Sequence, residues 1–173
     1  MSDRRICPAC GRYKLVEPYR PPKARLALIG TQPGDEEIRQ GRPFVGPTGQ
    51  LLHHELARVG IVWTQAVASN LWMHARPKKK AECDAEIAWH KEQLIKLLDG
   101  VEAVFLMGAE NLQVWAGCSV MDVCGLEVEV PEFPDSVQIV VASVNPAYAL
   151  RNPVGELRFA IREFARRVGR WTD

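Results

Sequence analysis

The stretch RLALIGTQPGDEEIRQGRPFVGPTGQLLHHEL, residues 25–56, decides how this chain is read. It opens as an apolar run, Leu26 to Ile29, that halts at Gly30, and it closes in a helical pattern beginning at Gln50. Between the two, glycines and prolines crowd around Phe44. A buried strand that empties into a glycine-rich loop and then a helix is typical of a parallel sheet whose ligands bind beyond the strand ends. The glycines allow the backbone to approach a bound group closely.

The same grammar recurs outward from this stretch. AVASN (66–70), EAVFLMG (102–108) and QIVVASV (138–144) read as further buried strands. QLLHHELARVGI (50–61) sets Leu51, Leu52, Leu56 and Val59 on one helical face. DAEIAWHKEQLIKLLDG (84–100) reads as an amphipathic helix ending at Gly100, a further helix starts at Ala109, and VGELRFAIREFARRVGRW (154–171) as a terminal helix. CGLEVEV (124–130) alternates and reads as an edge strand or hairpin. Strands alternating with helices predict an α/β fold, a three-layer α/β/α sandwich on a central parallel four-stranded sheet. Its strand ends would be Gly30-Thr31-Gln32, Ser69-Asn70, Met107-Gly108 and Val144-Asn145.

At 173 residues the chain is expected to form a single domain, 1–173, with residues 1–24 an irregular arm. The hydrophobic fraction of 47% is enough for a full core. The formal net charge of +1 means that any contact with nucleic acid must come from a local basic face. No run of 18 apolar residues occurs, so no membrane span is expected. The N-terminus carries charges without an apolar signal core, which predicts a cytoplasmic chain, and monomer is the default state. Five cysteines in a reducing compartment read as metal ligands or buried thiols rather than disulfides, with Cys118 and Cys124 as buried thiols.

The segments GTQPGDEE and GRPFVGPTGQLL, followed by Asn70 and then NPAYALRNP at 145–153, resemble the motifs of the uracil-DNA glycosylase superfamily. The likeness is greatest to its iron–sulfur family 4 and the related subgroup that cross-links to uracil DNA. The resemblance implies removal of uracil, or a related modified pyrimidine, from DNA. Such enzymes act on a base turned out of the stack. It implies a slot made of Gly30, Gln32, Pro33, Gly34, Phe44 and Asn70, with Phe44 stacking on the base and Asn70 reading its polar edge. Glu37 aligns with an acid that lies near C5 of the base in relatives. Arg151, Tyr148 and the lysines Lys78 and Lys79 of the run ARPKKK are the expected contacts to DNA, the basic ones to phosphate.

Two positions depart from the pattern. Thr31 stands where relatives carry Glu, and Asn145 where they carry His. Thr cannot hold a negative charge, so Asp35 becomes a candidate for the acid role. Asn145 can still donate a hydrogen bond to the departing base. The departures keep two alternatives open: a binding protein with weak or absent chemistry, and a glycosylase for a non-uracil base. The resemblance also implies a [4Fe–4S] cluster. Cys7 and Cys10 match its first pair, His74 its third position, and Cys83 its fourth, with His90 as the fallback. The same donors suit zinc, which stays open.

Overall fold

The computed structural model describes residues 5–169. The first four residues of the expected arm, and the end of the expected terminal helix from residue 170 on, lie outside the described residues. Four strands, β1 (Leu26–Gly30), β2 (Val67–Asn70), β3 (Ala103–Met107) and β4 (Ile139–Ser143), form one sheet. All pairings are parallel, in the order β2-β1-β3-β4. The α/β reading therefore holds. Alternation within each strand divides the core into two faces. Ala27, Ile29, Val104, Leu106, Val140 and Ala142 point to one side. Leu28, Phe105 and Val141 point to the other.

Helices α3 (Lys80–Leu97) and α4 (Ala109–Ala116) cover the first face, through Leu94, Leu112 and Trp115 among others. Helices α2 (Pro47–Ala57) and α7 (Gly155–Val168) cover the second. In α7 the buried set Leu157, Ala160, Ile161, Phe164 and Val168 follows the helical period. Arg158 of α7 donates twice, at 2.9 Å, to the buried carboxylate of Glu55 in α2, which holds that carboxyl below the usual carboxylate range.

Three differences from the sequence reading are instructive. Residues read as loop contain α1 (Asp35–Gln40), a short helix between Gly34 and a left-handed Gly41 with three acids in its first turn. Helix α3 starts four residues before the expected Asp84, because the lysine run supplies its first residue, Lys80. The 124–130 segment is no full strand; it makes one antiparallel bridge, Glu127 to Val141, and three backbone bonds to β4. It covers the β4 edge of the sheet, as Tyr19 of the arm covers β2 by exchanging two backbone bonds with Ala68. Two short helices complete the chain, α5 (Val120–Val123) and α6 (Pro146–Ala149). Among the described residues no helix is long and apolar enough to cross a membrane.

Candidate functional site

From β1 the chain first adds β2 on one side, then crosses to β3 on the other. That reversal opens a crevice beyond the carboxyl ends of β1 and β3. The register sets Gly30 beside Asn70 and Met107 beside Ser143, so the strand ends and the loops that follow them converge. A cavity of about 200 Å³ lies there. Its lining includes Gly30, Thr31, Gln32, Pro33, Gly34, Glu37, Phe44, Asn70 and Asn145. Ten of the expected residues were named for this region; nine line the cavity and Asp35 does not.

The loop after β1 is built tightly. Phe44 is buried with φ 53, a left-handed conformation that a bulky residue adopts only when its surroundings force it. The forcing is visible at Gly49 of α2, where an added Cβ would fall on the Phe44 carbonyl. The ring of Phe44 and the amide of Asn70 meet across Gly30. A Cβ on Gly30 would strike Asn70 Oδ1 and lie 3.1 and 3.2 Å from ring carbons of Phe44. The flat ring and the polar amide therefore border the same space.

Glu37 is buried, and both its oxygens are engaged. Oε2 accepts from Gly34 N–H at 3.1 Å and Oε1 from Gly46 N–H at 2.6 Å. This carboxylate braces the two glycine turns that flank Phe44. Asp35 is exposed at the first turn of α1. Among the described residues, Glu37 is thus the one acid that lines the cavity.

Thr31 and Asn145, which also line the cavity, meet at Gly108. A Cβ at Gly108, where φ is 101, would strike Thr31 Oγ1 and lie 3.4 Å from Asn145 Nδ2. Thr31 donates its hydroxyl proton to the Met107 carbonyl at 3.2 Å, which leaves oxygen lone pairs available. Asn145 caps α6: its Oδ1 accepts from Ala147 N–H at 2.9 Å. That bond fixes the amide so that Nδ2, a donor, is the remaining group. Sequence reading missed Thr48, Gly49, Pro146 and Ala147 of the lining. Pro146 and Ala147 lie within the quoted NPAYALRNP motif and could have been read from it.

Of the expected DNA contacts, Lys78, Lys79 and Arg151 are exposed, while Tyr148 is half-buried and packs against the core. The exposed apolar residue beside Arg151 is Leu150. Arg76, also exposed, pairs with Glu110 at 2.7 Å, and its backbone N–H holds Gln32 Oε1 at 3.2 Å.

The metal candidates converge only in part. Cys7, Cys10 and His74 bring their ligand atoms within 4.8 Å of one another. His74, Glu86 and His90 do the same. Cys83 joins neither group among the described residues; its thiol donates to the Pro77 carbonyl at 3.2 Å. Cys83 shares the buried stripe of α3 with Glu86, His90 and Leu94, but it is Glu86 and His90, about one and two turns further along, that stand beside His74. Burial, with the charge of His74 a lesser cause, pushes His90 down to about 3, so it is neutral at ordinary pH. Cys7, Cys10 and His74 do not line the cavity. Cys118 and Cys124 are half-buried, and the Cys124 thiol, raised by burial, faces the Glu156 carbonyl.

The family model described as the uracil DNA glycosylase superfamily matches residues 17–168. A Type-4 uracil-DNA glycosylase of Archaeoglobus fulgidus is 25% identical over 162 residues, covering 85% of this chain and 79% of that protein. A second, of Thermotoga maritima, is 26% identical over 141 residues, covering 80% of this chain and 73% of that protein.

Proposed function

The chain belongs to the uracil DNA glycosylase superfamily, and from that premise we propose that it removes uracil or a related modified pyrimidine from DNA by hydrolysis of the N-glycosidic bond. The observation that carries this reading is the meeting of the Phe44 ring and the Asn70 amide across Gly30, with Asn145 lining the same cavity. A flipped base stacks on Phe44, a contact of about 1–3 kcal/mol. Asn70 accepts from N3–H through its oxygen and donates to O4 through its nitrogen. Asn145 Nδ2 donates to O2, where negative charge gathers as the C1′–N1 bond breaks and its electron pair leaves with the base. Water adds to C1′ and releases its proton to solvent. Thr31, its own proton committed to Met107, accepts a hydrogen bond from that water.

Glu37 is assigned to bracing the loop, since both oxygens are occupied. Lys78, Lys79 and Arg151 are proposed to meet phosphates, and Leu150 to stand in for Tyr148 as the apolar residue at the duplex. Uracil-containing DNA is the proposed partner, the chain acting as a monomer in the cytoplasm at the nucleoid. The metal centre serves the arm, not the cleavage, because its residues lie off the cavity.

A second reading, a pocket that holds the base without cutting, is favoured by one observation: no carboxylate with a free oxygen lines the cavity among the described residues. One assay separates the two. Labelled uracil DNA and modified-base DNA are incubated with the protein and abasic sites are cleaved with alkali. Strand breaks lost in Asn70→Ala and Asn145→Ala support the enzyme. Base-dependent binding with no breaks on any substrate overturns it in favour of the binder.

A further inference from the structure

We propose that Asn111 of α4 is a positioning residue for the cleavage: its amide fixes the Met107 carbonyl, and through it the direction in which the Thr31 hydroxyl faces the attacking water. This rests on the glycosylase reading above. Asn111 is fully buried, does not line the cavity and stands in none of the motif segments of the sequence. Its Nδ2 donates to the Met107 carbonyl at 2.8 Å and to the Ile29 carbonyl at 3.4 Å. Those carbonyls lie at the ends of β3 and β1, where the register of the two strands closes with Ile29 beside Leu106. One side chain thus ties together the two strand ends beyond which the cavity opens.

A backbone carbonyl has two lone pairs, and that of Met107 accepts twice. Asn111 Nδ2 is one donor, and Thr31 Oγ1 is the other, at 3.2 Å. The peptide unit that carries this carbonyl is held at its other end too, since Gly108 N–H donates to the Ser143 carbonyl at 2.8 Å. With the carbonyl clamped, the Thr31 proton stays on Met107 and the oxygen lone pairs remain for the water. A water that attacks C1′ must keep a lone pair toward that carbon, so it has to donate to Thr31 rather than accept from it. A hydroxyl free to turn could offer its proton instead and hold the water the wrong way round. Asn111 prevents that turn without touching the water or the base.

A second observation marks the amide as more than core filling. Among the described residues, Asn111 Oδ1 is buried with no hydrogen-bond partner. Reversing the amide would set that oxygen against two carbonyl oxygens, so the nitrogen must face them. A buried polar atom left unpaired is costly, and a leucine of similar size would fill the space without that penalty. The other buried residues of α4, Leu112 and Trp115, are of the apolar kind. What Asn111 adds is its pair of donors.

A matched pair of variants tests this. In a helix a threonine hydroxyl can donate to the carbonyl four residues earlier, here that of Met107, and valine has the same shape without the hydroxyl. Single-turnover cleavage of labelled uracil DNA and modified-base DNA is measured on the full chain at saturating protein, beside DNA binding and melting temperature. Asn111→Val is expected to slow cleavage about 10–100-fold with DNA binding unchanged, the scale of a small misplacement at the reacting atoms. Asn111→Thr is expected to regain most of that rate. In a Thr31→Val background the pair should cleave alike, since the hydroxyl that Asn111 steers is gone. An Asn111→Val protein as fast as the parent overturns the proposal. So do equally slow Asn111→Val and Asn111→Thr proteins, or a difference between the pair that persists without the Thr31 hydroxyl. Should the variants at position 111 fail to fold, NMR of the parent and of Thr31→Val decides. The side-chain amide resonance of Asn111 is expected to shift when the hydroxyl that shares its acceptor is removed, and an unmoved resonance overturns the proposal. A parent that cuts neither substrate overturns the glycosylase reading and this proposal with it, whereas the outcomes above, with a parent that cuts, overturn this proposal alone.

Discussion

The cavity proposed to hold the base and the cluster of Cys7, Cys10, His74, Glu86 and His90 differ in how fully their polar groups are paired. In the cavity the protein fixes three of the lining side chains itself. Glu37 takes up two glycine N–H groups, Asn145 caps α6, and Thr31 rests on Met107. Its atoms are held before any base arrives, which is what lets dipoles act on a developing charge without reorganisation. Where α3 meets the arm one atom is left over: His74 and His90 are bonded to each other at 3.1 Å, and the buried Oε2 of Glu86, 3.3 Å from His74 Nε2, has no hydrogen-bond partner. Groups already held suit a transient ligand, whereas the second region leaves Glu86 Oε2 without a partner.

The comparison breaks most easily at Asn145. If the slot works by prearranged donors, Asn145→Ala removes the donor to O2 and should slow single-turnover cleavage of uracil DNA by about 10²–10³-fold, with DNA binding kept. A loss in binding that matches the loss in rate would mean that Asn145 holds the ground state and the transition state equally. Gly30→Ala comes next. The added methyl would displace the Asn70 amide and press on the Phe44 ring, so kcat/KM should fall roughly 10–100-fold, about 1.4–2.7 kcal/mol, with the melting temperature little changed. A fall in melting temperature with full activity in the folded fraction would show that the space is core and not slot.

How much of this was legible in the sequence differs between the two regions for a physical reason. The four strands were readable because each is buried on both faces and so is an apolar run. The slot was readable because its groups sit at strand ends, and strand ends are local in sequence. Helix α1 was not seen, since Gly34 and Gly41 looked like loop glycines when they are its caps. Asp35 was nominated for the acid role by its nearness in sequence to Thr31, yet the helix that begins there carries it onto the surface. The metal candidates were half legible: Cys7 and Cys10 announce themselves and lie beside His74, but Cys83 and His90 share one stripe of α3, whose start was misread by four residues, and the sequence does not say which of them stands beside His74. A buried stripe of Cys83, Glu86 and His90 also leaves little apolar signal for periodicity to find.

Chelation of the proposed metal centre sharpens the contrast from the cysteine side. Stripping it with a strong chelator under reducing conditions should expose residues 5–16 to proteolysis and to hydrogen exchange. Cleavage should fall by less than about tenfold, because opening the arm is a local event. The route for that smaller loss is Val16 N–H, bonded to the Met73 carbonyl at 2.6 Å a few residues beyond Asn70. An equal collapse of both regions would show that the slot is not self-sufficient.

The smallest effect is expected at Asp35, and it tests the slot's self-sufficiency from the other direction. If catalysis needed a carboxylate in place of the one that Thr31 lacks, Asp35 would be the nearest candidate in the chain. Its position argues against this: it is exposed, it stands at the first turn of α1, and it does not line the cavity. Asp35→Asn keeps the size and the polarity of the side chain and removes only the charge. Surface changes of this kind are usually worth within ±0.5 kcal/mol, so the single-turnover rate should stay within about twofold of the parent at every pH assayed. A drop of a hundredfold or more would bring Asp35 into the cavity during reaction, which requires α1 to unwind at Gly34. The hydrogen bond from Gly34 N–H to Glu37 would then be broken in the working state, and Glu37→Gln, which weakens that bond, should raise activity rather than lower it.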